Sequence, residues 1–145
     1  MKIFLGADHR GFAQKQQLLS FLQQYGEVID LGPHEYNEED DYNDSAKAVA
    51  KSVLENPDSF GILLCGSAFG VCIQANRFKG IRAIDPHTPE LAARGREHNN
   101  ANILCLATEL LTPEIAEQIA ATFLNTNFIQ EPRYIRRNQK LDEEN

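Results

Sequence analysis

The stretch 61–70, GILLCGSAFG, brings a thiol, a hydroxyl and a run of backbone N–H groups to one place. Its apolar part ends in Cys65, Gly66 and Ser67 and then enters a helical pattern. A buried strand of that kind delivers such groups at its carboxyl end, the edge at which open α/β sheets bind ligands. There a thiolate can take a proton, and N–H groups at a helix start can hold a phosphate or an anionic intermediate. Cysteine is also among the most buried residue types, so core packing is the competing reading of Cys65.

Other candidates stand further along the chain. ADHRGF at 7–12 carries Asp8 and His9 directly after the first apolar run; taken singly, Asp8 reads as a helix cap and His9 as an exposed loop residue. His98 closes a helical pattern, a common place for a surface histidine. The loop 33–41, PHEYNEEDD, reads as a solvated acidic surface that could carry Tyr42 toward a site. Arg133, Arg136, Arg137 and Lys140 form a basic cluster before the acidic tail 142–144, with a disordered tail as the alternative.

The elements that must position these groups alternate. Strand patterns at 2–7, 27–31, 59–64, 81–84 and 102–106 are separated by helical patterns at about 12–22, 44–54, 69–77, 89–97 and 113–124. This alternation implies βαβ units with right-handed crossovers, hence an α/β, three-layer Rossmann-like fold with five parallel strands and helices on both faces. In the flavodoxin-like strand order 2-1-3-4-5, the loops after Ala7 and Leu64 flank the switch point, and Asp8, His9, Cys65 and Ser67 converge.

With those motifs in order, the chain resembles the ribose-5-phosphate isomerase B family, which includes the galactose-6-phosphate isomerase subunits. The resemblance is carried by GADHRGF, DYND at 41–44, ILLCGSAFG at 62–70, ANRFKGIRA at 75–83 and REHNNANIL at 96–104, and it runs from Met1 to about Lys140. It implies a cofactor-free, metal-free aldose–ketose isomerase acting on sugar phosphates through a cis-enediolate. Cys65 matches the base, and backbone N–H groups and the following helix dipole should favour its thiolate. The N–H groups from Gly66 through Ser67, Ala68 and Phe69 to about Gly70 should hold the enediolate oxygen. Ser67 and His98 match positions that assist ring opening; Asp8, Tyr42 and Asn99 match contacts to sugar hydroxyls; His9, Arg133 and Arg137 match contacts to phosphate.

Chain order adds a geometric expectation. His98 and Asn99 precede the last strand and so lie at the amino edge of the sheet, opposite Cys65. A two-fold homodimer with composite sites solves this; the resemblance implies the same, with the arginines of the C-terminal arm (about 126–145) reaching the neighbour's site, and pairing of dimers into tetramers is left open.

Several positions depart from the family pattern. Glu109 stands where an arginine commonly helps bind phosphate, and like-charge repulsion there costs on the order of a kcal/mol or more. Tyr134 replaces a histidine, Ala68 a loop glycine and Phe69 a smaller aliphatic residue. These departures leave room for another sugar, such as allose or galactose 6-phosphate, or for a non-catalytic sugar-phosphate sensor. Gln74 stands near a position where some members carry a glutamate base, which leaves Cys65 as the base here.

Composition narrows the classes. The 145 residues suit one domain, 1–145. Twenty-one acids against 14 bases, a net charge of −7, argue against nucleic acid or an anionic membrane as partner. Three cysteines in apolar contexts suit a reduced, cytoplasmic compartment better than a disulfide framework or a metal site. The first apolar run is too short for a signal peptide. No G-x-G-x-x-G follows the first strand, which disfavours a dinucleotide.

Overall fold

A computed structural model describes residues 1–143. Its elements, in chain order, are β1 (Lys2–Ala7), α1 (Phe12–Leu22), β2 (Glu27–Asp30), α2 (Tyr42–Glu55), β3 (Phe60–Cys65), α3 (Phe69–Ala75), β4 (Ala83–Ile84), α4 (Pro89–Asn99), β5 (Ile103–Ala107), α5 (Pro113–Asn125) and α6 (Pro132–Leu141). All strand pairs are parallel. A parallel strand covered on both faces has no polar side, which is why β3 and β5 read as unbroken apolar runs. α4 and α5 start alike: Thr88 and Thr112 accept from the N–H three residues on, and a proline fills the first helical position.

The strand order is β2-β1-β3-β5-β4, which corrects the expected 2-1-3-4-5. β5 fills the place beside β3, pairing from Gly61↔Ile103 to Cys65↔Ala107, and the two-residue β4 is left at the edge. A short strand gains little from neighbours on both sides, whereas the five-residue, fully buried β5 gains most at the centre. The chain now moves outward to β4 and back to β5. A right-handed return therefore places α4 on the opposite face from α3.

The two cores show the consequence. One face holds Leu18 and Leu22 of α1, Ala92 of α4 and Ala116, Ile119, Ala120 and Phe123 of α5 against Ile3, Leu5, Ile62, Leu64, Leu104 and Leu106. The other holds Ala46, Val49, Ala50 and Val53 of α2 and Val71 and Ala75 of α3 against Phe4, Leu63, Cys65, Ile103 and Cys105. The switch point between β1 and β3 survives the correction.

Two features lock the loops at the carboxyl ends of the strands. A Cβ on Gly11 would lie 2.4 Å from the Leu64 carbonyl oxygen, so only glycine lets the β1–α1 loop press onto the end of β3. Lys15 is fully buried, and its ammonium donates to Asp30 Oδ1 at 2.6 Å and to the Pro33 carbonyl at 2.7 Å. Pairing offsets the desolvation of that charge and pins the loop after β2.

The C-terminal arm is ordered among the described residues. Ile129 N–H donates to the Glu97 carbonyl, and α6 then packs on α4. The basic cluster is thus helical, not a loose tail; Glu144 of the acidic tail lies outside the described residues.

Candidate active site

The carboxyl edge of β3 and its neighbours gathers one group of the expected residues. Asp8 N–H donates to the Leu64 carbonyl at 3.2 Å, and Asp8 Oδ1 accepts from Gly11 N–H at 3.0 Å, so its carboxylate closes the turn into α1. Cys65 lies next along β3, about 5% exposed. Gly66 and Ala68 are buried, while Ser67 is exposed with its hydroxyl 3.4 Å from Phe69 N. The Tyr42 ring, at the start of α2, lies against Gly70: a Cβ there would be 2.7 Å from Tyr42 Cζ. Cys65, Asp8, His9, Ser67, Tyr42 and the loop 66–70 therefore share one edge.

The loop after β3 is strained. Ala68 takes φ 65° and ψ −13°, the left-handed region, at a cost on the order of 1 kcal/mol for a residue with a Cβ. That turn is what aims N–H groups inward: those of Val71, Ala68 and Ser67 face the Cys65 sulfur. These N–H groups favour the thiolate, as expected, but burial outweighs them. Burial pushes the thiol above its ordinary value, and the nearby Asp8 carboxylate adds to the rise; the three N–H groups offset only part of it. α3 is seven residues long, too short to supply a large dipole. Burial likewise raises the Asp8 carboxyl.

Asp40 is a residue that sequence reasoning missed. Its Oδ1 lies 2.7 Å from His9 Nδ1 and accepts from His9 N–H at 3.1 Å. With Nδ1 taken, His9 has Nε2 left for a ligand. Nothing in PHEYNEEDD marks Asp40 apart from Glu38, Glu39 or Asp41, because the partner is 31 residues away. The same loop and α2 enclose an acidic hollow of about 440 Å³ lined by Gly32, Pro33, Asp40, Asp41 and Ser45 among others.

Glu109 also has an unexpected partner. Its carboxylate is ion-paired with Arg10 beside Gly66, and its N–H donates to the Gly66 carbonyl at 3.0 Å. Gln74 accepts from Asn43 Nδ2 at 2.8 Å, joining α3 to α2. Cys105 is fully buried core and Cys72 is half-buried beside it.

The remaining expected residues gather at the amino edge. His98 and Asn99 end α4, and the His98 ring stacks on Tyr134 of α6. Asn138 Nδ2 donates to the His98 carbonyl at 2.9 Å. Arg133 is paired with Glu131 at 2.9 Å and lies against the Tyr134 ring, and Arg137 is exposed one turn along. Within one chain these do not meet Cys65. Four strand steps separate Cys65 from Gly61, which is level with the start of β5, so the gap exceeds roughly 13 Å.

Among the described residues no group of three His, Cys, Asp or Glu side chains could hold a metal ion, and no helix is long and apolar enough to cross a membrane.

Known proteins share this fold. The sequence matches the family Ribose/Galactose Isomerase over residues 3–141. A ribose 5-phosphate isomerase from Thermotoga maritima is 44% identical with a TM-score of 0.93, covering 99% of this chain and 98% of its own. Ribose-5-phosphate isomerase B from Mycoplasma genitalium, solved with bound ribulose-5-phosphate, is 38% identical with a TM-score of 0.93, covering 97% and 93%. D-erythrulose-4-phosphate isomerase from Pectobacterium atrosepticum is 35% identical over 129 residues, 88% of this chain and 85% of that protein.

Proposed function

The chain belongs to the ribose/galactose isomerase family, and on that footing we propose that it interconverts ribose 5-phosphate and ribulose 5-phosphate, with Cys65 as the base. One observation carries the assignment of the base: a thiol at the end of a central strand, with three inward N–H groups and Asp8 beside it.

In the open-chain aldose, the Cys65 thiolate takes the C2 proton. The electron pair forms the C1–C2 double bond and the C1 carbonyl becomes an oxyanion, giving a cis-enediolate. The same sulfur returns its proton to C1 while the O2 hydroxyl proton passes to O1, and the ketose results. N–H groups of the loop 66–70 stabilise the charge that develops on oxygen, which lowers the barrier more than it tightens ground-state binding. Asp8 and Tyr42 orient the sugar hydroxyls and His9 meets the phosphate. Ser67 and His98 open the furanose ring.

His98, Asn99, Arg133 and Arg137 reach the site only from a second copy. We assign them to the partner subunit in a homodimer with two composite sites, which two-fold symmetry makes equivalent. Three free cysteines, one of them the base, suit a reducing compartment, the cytoplasm. No metal or nucleotide enters the reaction as written.

A second reading keeps the chemistry and changes the sugar. The Glu109 carboxylate beside Gly66 supports it, since an anion there opposes phosphate. Isomerisation of ribose 5-phosphate by wild type and by Cys65→Ala, beside six-carbon sugar phosphates and free pentoses, separates the two. Cys65-dependent turnover of ribose 5-phosphate upholds the first reading; turnover of a different sugar alone upholds the second.

A further inference from the structure

We infer that Arg10 is the same-subunit anchor for the substrate's phosphoryl group, and that Glu109 is its displaceable counter-ion. This rests on the reading of the chain as a sugar-phosphate isomerase and adds the residue that sets preference for a dianionic substrate.

Charge at the carboxyl edge leaves few choices. The five loops that follow the strands, 8–11, 31–41, 66–68, 85–88 and 108–112, contain one lysine or arginine, and it is Arg10. Lys15, just inside α1, is sealed between Asp30 and Pro33. His9, its neighbour in the chain, is tied to Asp40. A phosphate dianion arriving here meets many carboxylates, and beside the arginines proposed to come from a second copy, Arg10 is the fixed positive charge that these loops of its own chain offer it.

The position of Arg10 is set by backbone, not by chance contact. Thr108 N–H donates to the Cys65 carbonyl at 3.0 Å, while its hydroxyl is 3.1 Å from the Arg10 carbonyl oxygen. The loops after β1, β3 and β5 are thereby laced together. The side chains of Arg10 and Glu109 then lie over Gly66: a Cβ on that glycine would be 2.8 Å from Arg10 Cδ and 2.7 Å from Glu109 Oε1. The guanidinium is thus held next to the loop that follows the proposed base.

The pair is also easily opened. Arg10 is 60% and Glu109 54% exposed, and a solvent-exposed ion pair contributes little to stability. A phosphate offers a guanidinium two parallel charge-assisted hydrogen bonds and twice the charge of a carboxylate. Substrate can therefore take Arg10 from Glu109, whereas a neutral sugar cannot. Glu109 in turn competes with the phosphate and weakens its binding.

The test compares wild type with Arg10→Ala, Arg10→Lys and Glu109→Gln. It combines steady-state kinetics on ribose 5-phosphate with calorimetric titration of inorganic phosphate, thermal melts serving to confirm folding. Loss of charge-assisted bonds predicts that Arg10→Ala raises KM and weakens phosphate binding about 10-fold or more, with kcat within about 3-fold. Arg10→Lys should recover part of this, and Glu109→Gln should tighten phosphate a few-fold. Unchanged KM and phosphate affinity in folded Arg10→Ala overturn the inference, as does weaker phosphate binding in Glu109→Gln. The two readings fail separately: a wild type inactive on ribose 5-phosphate defeats the functional reading, while Arg10-dependent phosphate binding still decides the role of Arg10.

Discussion

The imidazole of His98 and the ring of Tyr134 lie face to face, with centroids 4.7 Å apart and planes 21° from parallel. The stack joins the last turn of α4 to α6 and, with the Asn138 bond to the His98 carbonyl, fixes where His98, the residue proposed to open the sugar ring, is presented. Planar rings in offset contact contribute about 0.5–1.5 kcal/mol beyond their buried area. Tyr134→Ala should lower kcat on the furanose substrate several-fold, and Tyr134→His, which keeps a planar ring, should restore most of it. Equal rates for Tyr134→Ala and wild type would remove the stack from the mechanism.

The proposed composite site has an arithmetic signature. On the proposed assignment, Cys65→Ala and His98→Ala dimers lack the base and the ring-opening group respectively. Random subunit exchange makes half the dimers hybrids, each with one intact site of two, so activity should recover to about a quarter of wild type. Recovery is measured after mixing at matched concentrations; none at all means that both residues serve one chain's own site.

Loss of the proposed base should act on the barrier. Cys65→Ala should lower kcat by about 10²–10⁴ and leave the affinity for a competitive polyol phosphate within about tenfold. A comparable loss of binding and turnover counts against the assigned role.

The pH profile follows from burial. The Cys65 thiol is raised above its ordinary value, so at neutral pH the protonated, non-basic form dominates the free enzyme. kcat/KM should climb with pH on the alkaline side of neutrality, in step with the rate of iodoacetamide alkylation. Asp8 contributes to the rise, so Asp8→Asn should move the alkylation limb to lower pH. A limb that stays put or moves upward contradicts the electrostatic origin.

Asp40 should matter only through His9. Removing the acceptor at Nδ1 frees the imidazole to rotate, and Asp40→Ala is expected to raise KM for the phosphorylated substrate about tenfold with kcat little altered. Asp40→Ala made on a His9→Ala background should add nothing further, the outcome that separates positioning from general loop support.

Gly11 tests the packing that brings the β1 loop to β3. Its missing Cβ would meet the Leu64 carbonyl oxygen at 2.4 Å, and backbone cannot yield cheaply. Gly11→Ala should cost roughly 1–3 kcal/mol, read from the denaturant midpoint.

Much of this molecule was legible in one dimension. Alternating strand and helix patterns imply parallel strands, and parallel strands assign each loop to an edge by chain order alone. Cys65 and His98 are therefore placed on opposite edges by their order along the chain. Such features depend on residues a few positions apart, whose periods and turn preferences are written locally.

What the tertiary structure decided depends on distant partners. The exchange of β4 and β5 turns on which strand gains more from central burial, a competition that no local pattern records. His9 meets Asp40 across 31 residues and Arg10 meets Glu109 across 99, so the acidic loop and the apparent misfit at Glu109 acquire meaning only when the loops converge. The direction of the Cys65 shift belongs here too. A strand–loop–helix pattern shows the N–H groups that favour a thiolate, but desolvation is set by the layers packed around the sulfur, and in this fold desolvation is the larger effect.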